Sequence, residues 1–140
     1  MKIIIETIPH HTQRYPTVGD WYFTKEATLT EKGGFTEEVL HIKVSSLSDW
    51  RHEFLVILHE LIEVGLCKHA GITQEAVDEY DIAFEKDRAA GRYRKDEEPG
   101  NKPNAPYVLQ HGVASGVERI VAAELRVPWD AYVAEVEALP

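Results

Sequence analysis

Apolar and polar residues alternate along the first third of the chain, and this pattern predicts a small sheet. Residues 2–8 are rich in isoleucine and stop at Pro9, which predicts a first strand. Residues 20–30 place Trp21, Phe23 and Leu29 on one side, as a half-buried strand does. Residues 38–45 resume the strand pattern after the turn-forming residues 31–34. We therefore expect the second and third strands to form a hairpin, with the first strand beside it.

From residue 48 onward the apolar residues recur at helical spacing instead. This spacing, with cap and stop signals, predicts four helices, at residues 49–70, 73–91, 106–125 and 129–139. The proline-containing stretch 92–105 between the second and third helices is predicted to be a loop that can cover a cleft. The predicted fold class is therefore α+β: a small, mainly antiparallel N-terminal sheet of about three strands, then a long helix and about three further helices. A chain of 140 residues is most simply one domain, 1–140.

The long helix and the third helix each carry a predicted core-facing surface. On the long helix, apolar side chains form one stripe: Trp50, Phe54, Ile57, Leu61 and Val64. On the third helix, valine and isoleucine residues extend round much of the surface, so we expect that helix to be substantially buried. His111 and Glu118 share a face of the third helix with apolar residues, and so belong to a surface that is expected to be covered.

The charge and the cysteine content exclude some classes of partner and location. The formal net charge of −9 argues against a nucleic-acid or anionic-membrane surface, because phosphate binding needs basic patches. The N-terminus has too few consecutive apolar residues for a signal segment or a membrane span. The single cysteine, Cys67, fits a reducing compartment, and we interpret it as a small buried apolar residue. These features predict a cytoplasmic protein.

His59, Glu60 and Glu63 form the group with the clearest chemistry. His59 and Glu63 are one helical turn apart, close enough to bind one ion together. A buried carboxylate is costly unless it is paired or binds a metal. Zinc accepts histidine nitrogen and glutamate oxygen, and catalytic zinc sites commonly have three protein ligands. We therefore predict a zinc site formed by His59, Glu63 and His111.

The helix resembles the H-E-x-x-H helix of zinc metallohydrolases, and the order of elements resembles a minimal zincin, nearest to the small gluzincins. Only His59 and Glu60 match the motif residue by residue, since Glu63 stands where the motif has its second histidine. The resemblance implies that Glu60 is the general base. The chain also resembles uncharacterised proteins encoded by phages and prophages, on residues 58–71, 98–100, 105–107 and 111–118. That second likeness implies no particular activity.

Three residues compete for the third metal position. His111 would restore a ligand set of two histidines and one glutamate. Glu118 is the alternative closer to the gluzincin pattern, with His111 then polarising the substrate oxygen. His69 stands ten residues after His59, but on a straight helix it is roughly 15 Å further along the axis. His52 is expected at the surface or in a supporting position.

Two function classes remain open from the sequence. The first is a zinc-dependent hydrolase, peptidase-like or amidase-like, with Glu60 as general base and a peptide or protein substrate that pairs with the edge strand of the sheet. The second is a non-catalytic accessory or binding module. In that case the buried polar residues form a structural metal site or a metal-free cluster that holds the helices together.

Overall fold

The computed structural model describes residues 1–30 and 33–140 and confirms the α+β class. Within these residues three strands precede four helices. The strands are β1 (Lys2–Ile8), β2 (Gly19–Thr30) and β3 (Gly33–Ser45). The helices are α1 (Trp50–Ala70), α2 (Gln74–Ala89), α3 (Val108–Glu124) and α4 (Trp129–Glu137). Of the predicted turn at 31–34, residues 31 and 32 lie outside the described residues.

β3 is the central strand of a mixed sheet in the order β1-β3-β2. It pairs antiparallel with β2, where Trp21 lies opposite Ile42, and parallel with β1, where Ile5 lies opposite the same residue. The hairpin and the neighbouring first strand are as expected from the sequence. The apolar alternation fixes which residues face the core, but it does not distinguish parallel from antiparallel pairing. Because β3 lies between the other two strands, β2 forms one edge of the sheet.

α1 begins and ends where its cap residues predict. The Asp49 side chain accepts a hydrogen bond from the Arg51 backbone N–H at 2.9 Å, as an N-cap does. Gly71 ends the helix in the left-handed conformation, with φ of 73°, which glycine adopts without a Cβ clash. α1 is continuous through Gly65, so His69 lies at its exposed end, far from His59 along the axis.

The predicted apolar stripe of α1 is mostly wrong. Trp50 and Phe54 are 65% and 42% exposed, and Leu61 is also exposed, although Val64 is buried. α1 packs against the sheet on one side and against α3 on another, so two of its sides are covered. Apolar residues occur nearly all round this helix, so spacing alone did not identify the covered face. The buried residues are His52, Leu55, Val56, Glu63, Val64 and Cys67.

α3 buries one face rather than most of its surface, so the predicted substantial burial is also wrong. Leu109, Val113 and Ile120 are exposed. Its covered face carries His111, Ala114, Glu118 and Ala122, which the sequence pattern had placed together. One apolar cluster extends from Trp21 and Ile42 of the sheet through α1 to Tyr132 of α4. Among the described helices, none has the length and apolar character needed to cross a bilayer.

Candidate metal centre

The antiparallel packing of α1 and α3 brings the two halves of the site together. Near the start of α1, Arg51 donates a hydrogen bond to the backbone oxygen of Leu125 just beyond the end of α3. Halfway along α1, His59 meets His111 near the start of α3. Residues 52 positions apart in sequence thus face each other across one helix pair.

His59, Glu63 and His111 converge on one point. His59 Nε2 lies 3.1 Å from His111 Nδ1 and 3.4 Å from Glu63 Oε2. His111 Nδ1 lies 2.9 Å from the same oxygen of Glu63. The three ligand-type atoms therefore form a small triangle, and the residues that carry them are buried or nearly so.

The size of this triangle fits a metal ion. With zinc bonds of about 2.0–2.1 Å, ligand atoms of a tetrahedral site are about 3.3 Å apart. The observed separations lie close to that value, and all three atoms face one another rather than solvent. The group can therefore hold a metal ion with little movement of its side chains.

A second set of contacts orients His59. Its Nδ1 lies 2.9 Å from Glu118 Oε2, and the other carboxylate oxygen of Glu118 accepts a hydrogen bond from the Tyr132 hydroxyl. A carboxylate can only accept, so Nδ1 of His59 carries a proton, and in the neutral ring that binds a metal the lone pair of Nε2 would face the cluster. Histidine ligands of metals typically donate their outer N–H to a carboxylate in this way.

The outer atoms of the other two ligands also meet protein groups. Glu63 Oε1 accepts a hydrogen bond from the Trp21 indole at 3.2 Å, which leaves Oε2 for the cluster. His111 Nε2 lies 3.4 Å from Glu98 Oε2 but makes no hydrogen bond in the described part of the chain. Each of the three residues therefore directs one polar atom toward the cluster. The outer atoms of His59 and Glu63 are hydrogen-bonded, and the outer nitrogen of His111 lies near the Glu98 carboxylate.

The carboxylates around the histidines favour protonated rings when no ion is present. Burial lowers the pKa of His59, but the hydrogen bonds to Glu118 and Glu63 outweigh it and raise the pKa to about 11. The pKa of His111 is raised to about 9, because contacts with Glu63 and Glu98 outweigh its burial. The same contacts hold the pKa of Glu63 well below its usual value despite burial. A metal ion must displace these protons, so its affinity should fall in acid.

Glu60 lies beside the cluster, against the backbone of the edge strand. Its Oε1 is so close to Gly19 that a Cβ built there would be 2.2 Å from it. No hydrogen bond among the described residues involves its carboxylate. Burial and the neighbouring charge of Glu63 raise the pKa of Glu60 to about 8. Glu60 is thus a carboxyl group without a hydrogen-bond partner, one residue from His59.

These groups line a cleft of about 790 Å³. Its wall includes His59, Glu60 and His111, and the turn Pro99–Asn101 covers one side. Gly100 is buried against the His111 ring, where a Cβ would be 2.4 Å from the nearest ring atom. The loop predicted to cover a cleft therefore does so, and glycine allows its close approach to His111.

The edge of β2 is only partly available for pairing with an extended substrate. The backbone oxygen of Trp21 accepts a hydrogen bond from Arg14, and the backbone N–H of Phe23 donates to Gln74. A substrate strand along this part of β2 must displace both side chains. The substrate pairing expected from the sequence stays a prediction, and along residues 21–23 it requires both side chains to move.

The other candidate ligands lie outside the cluster. Glu118 hydrogen-bonds to the outer nitrogen of His59, and His69 is exposed. His52 is buried and bonded to Glu135, two turns before His59.

Sequence reasoning missed the supporting residues. Trp21, which the strand pattern predicted to be half-buried, and Tyr132 both pack in the core, and only their polar atoms reveal the second role. Glycine at positions 19 and 100 carried no local signal, because neither has a positive φ.

Comparison of the chain with family models, with curated proteins and with solved structures gives no match.

Proposed function

We propose that the protein is a zinc-dependent hydrolase of the zincin type that cleaves peptide bonds or related amides. One observation carries this proposal: three metal-ligand atoms converge in a cleft, and the free carboxyl group of Glu60 lies next to them. A cluster that serves only to hold helices together has no need of a second carboxyl group beside it that makes no hydrogen bond to the described residues.

Each residue of the cleft has a distinct role in this reaction. Zinc supplies Lewis acidity toward a carbonyl oxygen and makes water more acidic. His59, Glu63 and His111 would hold the ion, and three protein ligands leave one position for substrate or water. A bound divalent ion beside Glu60 would lower its pKa and favour the ionised carboxylate. In that form Glu60 would take a proton from the attacking water and then give it to the leaving amine. Glu118 keeps His59 in the tautomer that ligation requires.

The donor set restricts the choice of metal. Two imidazoles and one carboxylate suit zinc, and the same set also binds ferrous iron in oxygenases. Glu60 favours the hydrolytic reading, because a general base beside the ion is what water activation requires. Its position next to Gly19 puts the base at the edge strand, where an extended substrate would enter.

We place this activity in the cytoplasm, with a peptide or protein as the substrate. The support for the location is the single cysteine, Cys67, which is buried and free, as is typical of a reducing compartment. Burial also raises the pKa of Cys67 to about 12, so its thiol is a poor nucleophile and does not compete with Glu60 as the catalytic group. The resemblance to proteins of phages and prophages is compatible with such a location.

Metal analysis of the purified protein tests the metal site directly. The wild type should bind zinc stoichiometrically at neutral pH, and His59→Ala should lose it. His69→Ala is the matched control, because His69 lies on the same helix at its exposed end. If iron is retained in preference to zinc, the hydrolase proposal is wrong. If no metal binds, the non-catalytic module with a metal-free polar cluster replaces it.

Glu60→Gln tests the chemistry separately from the metal. We expect this variant to keep zinc and to lose hydrolysis of a substrate that the zinc-loaded wild type cleaves, by at least about 100-fold for loss of a general base. Full activity of Glu60→Gln would show that Glu60 is not the base. Glu79→Gln, an exposed change on α2, controls for the loss of a carboxylate elsewhere.

A further inference from the structure

The cleft is lined by one arginine that makes no ion pair with the described residues. Arg119 follows Glu118 on α3 and lines the same cleft as the metal-ligand atoms. In the described part of the chain, no carboxylate forms an ion pair with it.

The other arginine of the cleft shows the contrast. Arg88 is bonded to the Glu85 carboxylate at 2.7 Å and also donates to the backbone oxygen of Glu97. Its guanidinium is therefore engaged within the protein. Arg119 instead lies over the ring of Trp129, with its guanidinium carbon 4.6 Å from the ring centroid.

Stacking on Trp129 prepares the guanidinium for binding. The contact restricts the rotamers of a flexible side chain and leaves the edge of the guanidinium group, with its N–H donors, available. That edge matches the two oxygens of a carboxylate, which it can bind through two parallel hydrogen bonds. Restricting the side chain beforehand also reduces the entropy lost on binding.

The position of Arg119 sets the distance between the anion and the reacting bond. Arg119 is eight residues after His111, so its Cα is about 12 Å along the helix axis from that ligand. An extended peptide spans about 3.5 Å per residue. A carboxylate bound by Arg119 therefore lies within about three residues of a bond held at the metal centre. The same cleft is also lined by apolar side chains of α4, among them Val133 and Val136.

We propose that Arg119 anchors a substrate carboxylate, so that the cleft takes short peptides or N-acylated amino acids with a free carboxyl end and an apolar side chain. This inference rests on the proposed hydrolase function, which it narrows from peptide bonds in general to bonds near a carboxyl terminus. Arg119 is a binding residue in this scheme and takes no part in proton transfer.

The test measures binding without zinc, so that the metal cannot bind the carboxylate itself. Zinc-free protein is titrated with N-acetyl-L-leucine and, separately, with N-acetyl-L-leucinamide, which differs in lacking the carboxylate. The Arg119 Nε–H resonance, assigned by its absence in Arg119→Gln, is followed by NMR. We expect the acid to shift this resonance and to bind about ten-fold more tightly than the amide, as hydrogen bonds to charged groups allow.

Arg119→Gln should bind the acid no better than the amide. Arg126→Gln is the matched control, because Arg126 also has no ion pair in the described residues but lies outside the cleft lining. Equal binding of acid and amide by the wild type, or an unchanged preference in Arg119→Gln, would overturn the inference alone. If the wild type binds the acid through Arg119 but binds no zinc, the hydrolase proposal is overturned, whereas the proposal that Arg119 binds a carboxylate stands.

Discussion

Single polar atoms determine how well this site is oriented to hold an ion, and the Tyr132 hydroxyl is the clearest case. Tyr132 and Glu118 are both buried, and the hydroxyl occupies one oxygen of the Glu118 carboxylate. The other oxygen of Glu118 is then directed to His59. The position of the His59 ring therefore depends on a residue of α4 that is not one of the three candidate metal ligands. Outer contacts of this kind typically change metal affinity by about 10–100-fold.

Tyr132→Phe should lower zinc affinity by about ten-fold while the fold is retained. The phenyl ring keeps the packing, but the buried Glu118 oxygen loses its donor and the carboxylate is free to turn away from His59. Competition with a chelating dye measures the affinity. Tyr22→Phe, whose ring stacks on His41 of the sheet, is the control and should bind zinc as the wild type does. Equal affinities for the two variants would mean that Tyr132 only fills space.

Gly19→Ala tests the position of Glu60. The new Cβ would overlap the Glu60 carboxylate, a flexible group that can move, so stability should change little. We expect zinc to be retained and hydrolysis to fall by about ten-fold or more, since a base displaced by about an ångström loses its geometry. Gly112→Ala adds a methyl group in open space and serves as control. Unchanged hydrolysis in Gly19→Ala would show that Glu60 acts from another position.

At the scale of elements, much of the fold could be predicted because its signals are local. Asp49, Gly71 and Thr73 fixed helix ends to within a residue or two. The covered face of α1 could not be predicted in the same way, because it depends on which elements pack against it. His59 and Glu63 were grouped by their spacing, and His111 was predicted to join them because it lies on an apolar face of the third helix and completes a zinc ligand set. The distances between these residues, and the support from Glu98, depend on contacts that only the folded chain creates.

Two glycine substitutions test the geometry of α1: Gly65→Ala tests its straightness, and Gly71→Ala tests its end. Gly65 lies in the helix interior with open space around its Cα, so Gly65→Ala should stabilise the protein by about 0.5–1 kcal/mol. Gly71 has a positive φ, so Gly71→Ala should destabilise it by about 1 kcal/mol. Thermal unfolding of both variants measures the difference. A loss of stability in Gly65→Ala would indicate a bend at that position.

At the scale of the whole molecule, negative charge is concentrated where an ion is expected. The net charge is −9, and the carboxyl groups of Glu60, Glu63, Glu98 and Glu118 surround two histidines. Without a metal, protonated histidines offset this charge only in part. Zinc would add two positive charges and link α1 to α3, so binding should raise thermal stability with zinc concentration. The negative charge of Glu63 also affects Asp81 of α2, which lines the same cleft.

Asp81 should make the metal-free protein less stable as the pH rises. Burial raises the pKa of Asp81 to about 7, against a hydrogen bond from Tyr107, and the charge of Glu63 adds to the increase. The unfolded chain releases this proton near the ordinary value of 3.8, so the folded state alone keeps it between these values. Stability is therefore lost as the pH rises through this window.

Asp81→Asn removes this titration and keeps an acceptor for Tyr107. Relative to the wild type, its melting temperature should rise progressively between roughly pH 4 and pH 7, because each pH unit in this window corresponds to at most about 1.4 kcal/mol, or a few degrees in a chain of this size. Thermal unfolding in the presence of a chelator measures it, since zinc would offset the charge of Glu63. Glu79→Gln, at an exposed position of the same helix, should run parallel to the wild type. Parallel profiles for Asp81→Asn as well would mean that Asp81 is ionised throughout this range, and that the cleft wall is wetter than its burial indicates.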